Sequence, residues 1–95
     1  MKDAYRTEPR EQVTLSLQLT GGSEGVTRDI SASGLYFVTD SEQQVGSLID
    51  FEIELDTPGG PMKFKAQGQI VRIEPQGGRT GAGVKLLASR LVPVE

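Results

Sequence analysis

The sequence predicts an all-β fold, a small six-stranded antiparallel β-barrel with little or no helix. Apolar and polar residues alternate with a period of two along several segments, and the helical period of 3.6 residues is hardly seen. Turns rich in Gly and Pro separate these segments at short intervals. With 95 residues, the chain is long enough for one domain with one hydrophobic core and too short for two.

The first half of the sequence predicts three strands. In the first of them, apolar residues such as Leu17 alternate with polar ones, which is typical of a half-buried strand. A Gly-rich turn at 21–25 ends the first strand, and the polar segment 39–47 that follows the third is predicted to be a surface loop. The three predicted strands are 13–20, 26–30 and 35–38.

A hairpin is predicted over residues 49–67, with its turn at Thr57-Pro58-Gly59-Gly60-Pro61. Placing Glu54 opposite Lys63 brings unlike charges together across the ladder. The same register places Glu52 opposite Lys65 and aligns the apolar residues of both strands on the other face. Both faces of the hairpin therefore predict one register.

The last part of the sequence predicts a bulge, a turn and a sixth strand. The apolar phase slips after Gly68, which indicates a bulge near 68–71 that helps the sheet close. A turn is predicted at 74–80 and a strand at 81–87, with Val84 and Leu86 pointing inward. The tail 88–95 is expected to trail or to add a short edge.

Composition limits the possible functions. The net charge of −3 argues against a DNA or RNA binder, which normally presents positive charge to a phosphate backbone. The longest run of aliphatic or aromatic residues, 35–38, is far too short to cross a bilayer, and the first residues lack the apolar core of a secretory signal. With no Cys present, a disulfide is excluded. We therefore expect a soluble, cytoplasmic protein without membrane insertion.

Two runs of residues suit an anionic guanine nucleotide. Arg6 and Arg10 lie four residues apart, and Asp29, Ser31 and Gly34 form the pattern Asp-x-Ser-x-x-Gly. Arginines are forked, permanently charged donors for phosphate oxygens and for the O6/N7 edge of guanine. An Asp and a Ser at a turn add an acceptor and a small donor, and the Gly can take a positive φ. Neither run is convincing alone, but together they indicate a binding site.

Residues 1–12 are predicted to form a flexible N-terminal arm, and residues 13–95 the β-barrel domain. Pro9 disfavours a helix at the residue before it, so we expect an extended or turned arm that is mobile without ligand. Folded over the barrel mouth, the arm would bring its arginines to a nucleotide resting on the turn. There Asp29 can accept hydrogen bonds from N1–H and N2–H of guanine, which adenine lacks, and Tyr5 can stack on a base.

Other charged or Gly-rich features have simpler interpretations. The alternating carboxylates at 50–56 are expected to be the solvated face of a strand, so no metal is predicted. Gly81 and Gly83 are interpreted as sites of tight packing, because no helix follows them to complete a phosphate loop. Arg28 and Arg79 can extend the positive site, although surface charge is their default interpretation.

The order of these features resembles the PilZ domain of bacteria, over nearly the whole chain. The Arg-x-x-x-Arg run precedes a strand and a Gly turn, a second strand ends in Asp-x-Ser-x-x-Gly, and the last strand contains Gly81-Ala82-Gly83-Val84-Lys85-Leu86. Pro9 before the second arginine and Leu35 after the motif glycine are also common in that family. Many PilZ domains add a helix beside the barrel after the last strand, and this sequence stops before such a helix.

PilZ domains are six-stranded β-barrels that act as receptors for the second messenger cyclic di-GMP. The resemblance places Arg6 and Arg10 on the arginine motif of the family. It places Asp29, Ser31 and Gly34 on the second ligand-binding motif. In the family, the residue at the position of Tyr5 influences whether one or two ligand molecules are bound.

The resemblance implies a non-catalytic receptor that relays its signal when ligand orders the arm and changes the surface offered to a downstream protein or domain. The alternative is a PilZ-like protein interaction module that does not bind nucleotide. An enzyme is not expected, because without His and Cys most nucleophile and base arrangements are unavailable. No cofactor is expected beyond the ligand itself.

Overall fold

The computed structural model describes residues 14–94 and consists of six strands, with no helix in that part of the chain. None of its elements is therefore a helix long and apolar enough to cross a membrane. The strands are β1 (Ser16–Leu19), β2 (Glu24–Ile30), β3 (Gly34–Thr39), β4 (Leu48–Thr57), β5 (Gly60–Gln76) and β6 (Arg79–Pro93).

The strands form a closed barrel in the order β1-β2-β3-β6-β5-β4, and every neighbouring pair is antiparallel. The barrel closes where Leu17 of β1 pairs with Ile53 of β4. The predicted six-stranded antiparallel barrel is therefore confirmed. The residues that fill its interior are Leu17, Leu19, Leu35, Phe37, Phe51, Ile53, Ala66, Ile70, Ala82 and Val84.

The predicted register of the β4–β5 hairpin is also confirmed. Glu54 pairs with Lys63 and Glu52 with Lys65, as the alternation of charges predicted. The ion pairs converge on Glu52, whose carboxylate oxygens lie 3.4 Å from Lys63 Nζ and 3.8 Å from Lys65 Nζ. These side chains are well exposed, so the pairs add little stability. The register is held mainly by the apolar face, where Ile53 is buried.

Several turns are tighter than predicted. Thr57 pairs directly with Gly60, so the turn between β4 and β5 contains only residues 58 and 59. Gly60 has a φ of 114°, and the Thr57 hydroxyl donates to its carbonyl at 2.7 Å. The turn predicted at 74–80 is likewise reduced to Gly77 and Gly78, whose φ values are 58° and 88°. Positive φ values are readily adopted by Gly, which permits such short reversals.

The longest strands extend beyond their predicted ends. Pro75 lies within β5, paired with Thr80 near the hairpin end, where a missing backbone donor disturbs few ladder bonds. The tail from residue 88, predicted to trail or to add a short edge, continues β6 and pairs with β5 as far as Met62 opposite Pro93. The predicted bulge is present, because the β5–β6 register shifts at Gln67/Gly68 and at Ile70/Arg72. Such shifts let two long strands coil around the barrel.

Two boundaries in the first half of the chain were also predicted wrongly. Glu24 and Gly25 belong to β2 and not to the preceding turn, because they pair with Gln18 and Leu17 of β1. A Cβ on Gly25 would lie 2.9 Å from Phe37 Cδ2. Thr39 is the last residue of β3 and is fully buried, although it was assigned to the loop. Its hydroxyl donates to the Glu24 carbonyl at 2.7 Å, which satisfies the buried polar group.

Candidate functional site

The turn between β2 and β3 carries the second predicted motif. Ser31 N donates to the Gly34 carbonyl at 2.8 Å, and the Ser31 hydroxyl approaches the same oxygen at 3.3 Å. Asp29 lies within β2, paired with Tyr36, so the turn itself begins after the aspartate. Leu86 N donates to the Ser33 carbonyl at 2.8 Å. This bond ties the turn to β6.

Gly34 has a different structural role from the predicted one. Its φ is not positive, so left-handed geometry is not what requires a glycine there. Gly34 pairs with Lys85, and a Cβ on Gly34 would collide with the Val84 carbonyl oxygen. The glycine therefore permits β3 and β6 to approach closely beside the turn.

The outer face of β3, β6 and β5 forms a platform next to this turn. Tyr36 pairs with Gly83, and a Cβ on Gly81 would collide with the Tyr36 hydroxyl, so the tyrosine side chain lies over the glycines of β6. Gln76 Nε2 donates to the Tyr36 hydroxyl at 3.0 Å. The guanidinium carbon of Arg72 lies 5.3 Å from the centroid of the same ring, within range of a cation–π interaction. This geometry agrees with the tight packing predicted for Gly81 and Gly83.

An open cleft of about 560 Å³ runs from the turn across this platform. Asp29, Ser31 and Gly34, which the sequence predicted as ligand contacts, all line it. The structure brings these three residues together. The other lining residues are Ser33, Leu35, Tyr36, Val71, Arg72, Gly83, Val84 and Lys85.

Sequence reasoning missed the two cations of the cleft, Arg72 and Lys85. Both come from strands far along the chain and reach the turn through the pairing of β3 with β6 and of β6 with β5. The sequence feature that could have pointed to Arg72 was the slip in apolar phase after Gly68. That bulge leaves Val71 without a partner in the β5–β6 register and 52% exposed beside the cleft, and Arg72 pairs with Gly83 on the platform.

The two arginines considered as extensions of the site do not line the cleft. Arg79 Nε lies 2.8 Å from Asp40 Oδ1, near the end of β3 opposite to the turn. Arg28 is exposed at an irregularity of β2, where the register shifts between Thr27 and Asp29. Surface charge is the better interpretation for both.

The remaining predicted contacts, Tyr5, Arg6 and Arg10, lie outside the described residues. Leu15, just before β1, is hydrogen-bonded to β2. Leu15 N donates to Thr27 Oγ1 and Thr27 N donates to the Leu15 carbonyl, each at 2.9 Å. Because β1 runs antiparallel to β2, Leu15, which immediately precedes β1, lies toward the end of β2 that contains Asp29.

Within residues 14–94, no three acidic residues come together in a way that could hold a metal ion. The carboxylate row of β4 instead faces lysines of β5, with Glu52 in contact with both Lys63 and Lys65. The cleft itself contains two cations, one carboxylate and the hydroxyls of two serines. These groups suit an anionic ligand with polar edges.

Comparison with known proteins supports the fold. The PilZ domain family model matches residues 4–91. Among solved structures, the Bacillus subtilis Inhibitor of motility (MotI/DgrA) is similar with a TM-score of 0.74 and 19% sequence identity. That match covers 88% of this chain and 43% of the other, so the chain spans less than half the length of that structure. No curated protein sequence matches the chain.

Proposed function

The chain belongs to the PilZ domain family, a family of cyclic di-GMP receptor domains, and we propose that it is a non-catalytic receptor for this bacterial second messenger. The observation that carries the proposal is the cleft beside the Asp-x-Ser-x-x-Gly turn. Asp29 and Ser31 lie at one side of it, with Arg72 and Lys85 among the residues that line the rest. A ligand with two phosphates and two guanines matches both the cations and the acceptor.

The N-terminal arginines are within reach of this cleft. Arg10 is five positions before Leu15, and an extended chain spans at most about 3.6 Å per residue, or about 18 Å over that distance. Thr27, the partner of Leu15, is two positions from Asp29. Arg6 has a longer path and correspondingly greater reach. In the proposal, both guanidinium groups close over a nucleotide that rests against Asp29 and Ser31.

Calorimetric titration with cyclic di-GMP tests the proposal, with cyclic di-AMP and GTP as controls. We expect saturable binding of cyclic di-GMP and much weaker binding of both controls. Cyclic di-AMP lacks the guanine edge, and GTP lacks the second base. A null titration of folded protein would reject the receptor. It would favour the alternative, a PilZ-like module that contacts proteins and does not bind nucleotide.

The signal is proposed to pass through the arm, residues 1–12. Ligand that contacts both the arm and the turn would order the arm and change the surface offered to a downstream protein or domain. Hydrogen exchange of the full chain, with and without cyclic di-GMP, measures this directly. We expect slower exchange in the arm and at the Asp29 turn on binding. Unchanged exchange in the arm under saturating ligand would contradict the relay while leaving binding intact.

Replacing Asp29 with alanine is expected to weaken cyclic di-GMP binding about tenfold or more, since a charged acceptor for guanine N1–H and N2–H is lost. The preference for cyclic di-GMP over cyclic di-AMP should fall with it. Titration of Asp29→Ala with both nucleotides measures the two effects.

Asp40→Ala is the matched control, because Asp40 is an exposed aspartate paired with Arg79 away from the cleft. Its affinity should equal that of the wild type. Thermal unfolding of both variants separates binding from folding. An Asp29→Ala protein that keeps the wild-type preference for guanine would remove Asp29 from base recognition.

A further inference from the structure

We propose that Arg72 is an additional ligand-binding residue of the cleft and that Glu74 restrains it in the ligand-free protein. This inference rests on the proposed function, because it names a contact of the same site. Neither predicted motif contains the two residues. The inference comes from the juxtaposition of Arg72, Tyr36 and Asp29 on the outer face of the barrel.

The backbone register places Arg72 across the cleft from the turn. Asp29 pairs with Tyr36, Tyr36 with Gly83 and Gly83 with Arg72, which gives a straight row across four strands. Three inter-strand spacings of about 4.8 Å separate the ends of this row, or about 14 Å. Because Gly83 has no side chain, the Arg72 side chain can lie over it: a Cβ on Gly83 would be 3.0 Å from Arg72 Cγ. Arg72 thereby extends across β6 to the Tyr36 ring. A ligand larger than one nucleotide that rests against Asp29 can therefore also reach the guanidinium group.

The Arg72 side chain is free to exchange partners. It is 65% exposed, and its Nε lies 3.4 Å from Glu74 Oε2 in an ion pair whose other side chain is 43% exposed. Its guanidinium carbon also lies over the Tyr36 ring. Exposed ion pairs of this kind are weak, so a phosphate or the face of a guanine can displace Glu74. The guanidinium plane suits both, since arginine binds phosphate oxygens with two donors and stacks on aromatic surfaces.

Glu74 thereby competes with the ligand for Arg72. Binding must release the Arg72–Glu74 pair. Removal of the Glu74 charge should therefore tighten binding, and only in proteins that retain Arg72. This dependence distinguishes restraint of one arginine from a general repulsion between Glu74 and an anionic ligand.

The test is calorimetric titration of the full chain with cyclic di-GMP. Arg72→Ala is expected to weaken binding about tenfold or more, and Glu74→Gln to tighten it about two- to fivefold. The double variant Arg72→Ala/Glu74→Gln should bind like Arg72→Ala alone. Arg79→Ala is the matched control, because Arg79 also forms an Nε–carboxylate pair but lies outside the cleft. It should bind within about twofold of the wild type.

Wild-type affinity in Arg72→Ala overturns the inference and leaves the receptor proposal standing. Tightening by Glu74→Gln that persists without Arg72 overturns the restraint. Absence of binding by the wild-type protein rejects the receptor and this inference together. Should Arg72→Ala not fold, Arg72→Lys decides the question, because it keeps the charge and loses the planar fork. We expect it to bind about three- to tenfold more weakly than the wild type, and equal affinity would overturn the inference.

Discussion

Replacing both Arg6 and Arg10 with alanine is expected to weaken cyclic di-GMP binding by more than about a hundredfold. Each arginine contributes charge-assisted hydrogen bonds to a phosphate or a guanine, worth roughly 1.5 to 3 kcal/mol, or about ten- to a hundredfold in affinity. Each single variant should lose affinity by that smaller factor. Titration of the two single variants and the double variant at constant salt measures these losses, while the midpoint of thermal unfolding should barely move.

Loss of positive charge alone must be separated from loss of specific contacts. The double variant Arg79→Ala/Arg90→Ala also removes two positive charges, but from exposed positions of β6 that do not line the cleft. It should lose only the small, salt-dependent part of the affinity. Equal affinity in the wild type and the Arg6→Ala/Arg10→Ala protein would exclude the arm from binding, even if the barrel itself still held the nucleotide.

The barrel was predictable because its strongest signals are local. Alternation along β4 and β5 is sensitive to register, since a slip of one residue would turn Ile53 out of the core and Glu52 into it. Short Gly turns and the phase slip after Gly68 then indicated where strands reverse and where the sheet bends. These features survive in the structure almost unchanged.

The ends of the long strands were not predictable in the same way. Residues 88–93 alternate poorly and include a proline, which argues against a strand when the segment is considered alone. Their backbone is nevertheless paired, because residues 62–67 of β5, which pair with β4 on one side, offer a ladder to β6 on the other. Tertiary pairing overrides local preference there, and no pattern within the segment reports its partner.

Only the part of the candidate site that is local in sequence was predictable, for a related reason. Asp29, Ser31 and Gly34 are neighbours in sequence, so their motif is visible without a structure. Arg72 and Lys85 become neighbours of the turn only through the pairing of β3 with β6 and of β6 with β5. An isolated arginine or lysine on an alternating strand has the same appearance as any solvated charge. The pairing order of the closed sheet is what identifies it as part of a cleft.

Gly34 shows how a motif residue can be found correctly and explained wrongly. The expected reason was a positive φ, whereas the structure requires a glycine because the Val84 carbonyl lies against its Cα. The two explanations make different predictions for alanine. Left-handed strain would be local to the turn, but a collision with backbone of β6 disturbs the wall of the barrel and the shape of the cleft together.

Gly34→Ala is therefore expected to destabilise the fold by about 3 kcal/mol, at the upper end of typical overpacking effects, because a backbone carbonyl cannot move aside as a flexible side chain can. For a domain of this size the midpoint of thermal unfolding should fall by at least about 10 °C. Gly59→Ala is the matched control: a Cβ there would meet only Thr57 Oγ1 at 3.9 Å, so its stability should stay within about 1 kcal/mol of the wild type. Denaturant unfolding of both variants gives the free energies. If Gly34→Ala is as stable as Gly59→Ala, β3 and β6 are not in the close contact that shapes the cleft, and the glycine of the motif must act on the ligand itself.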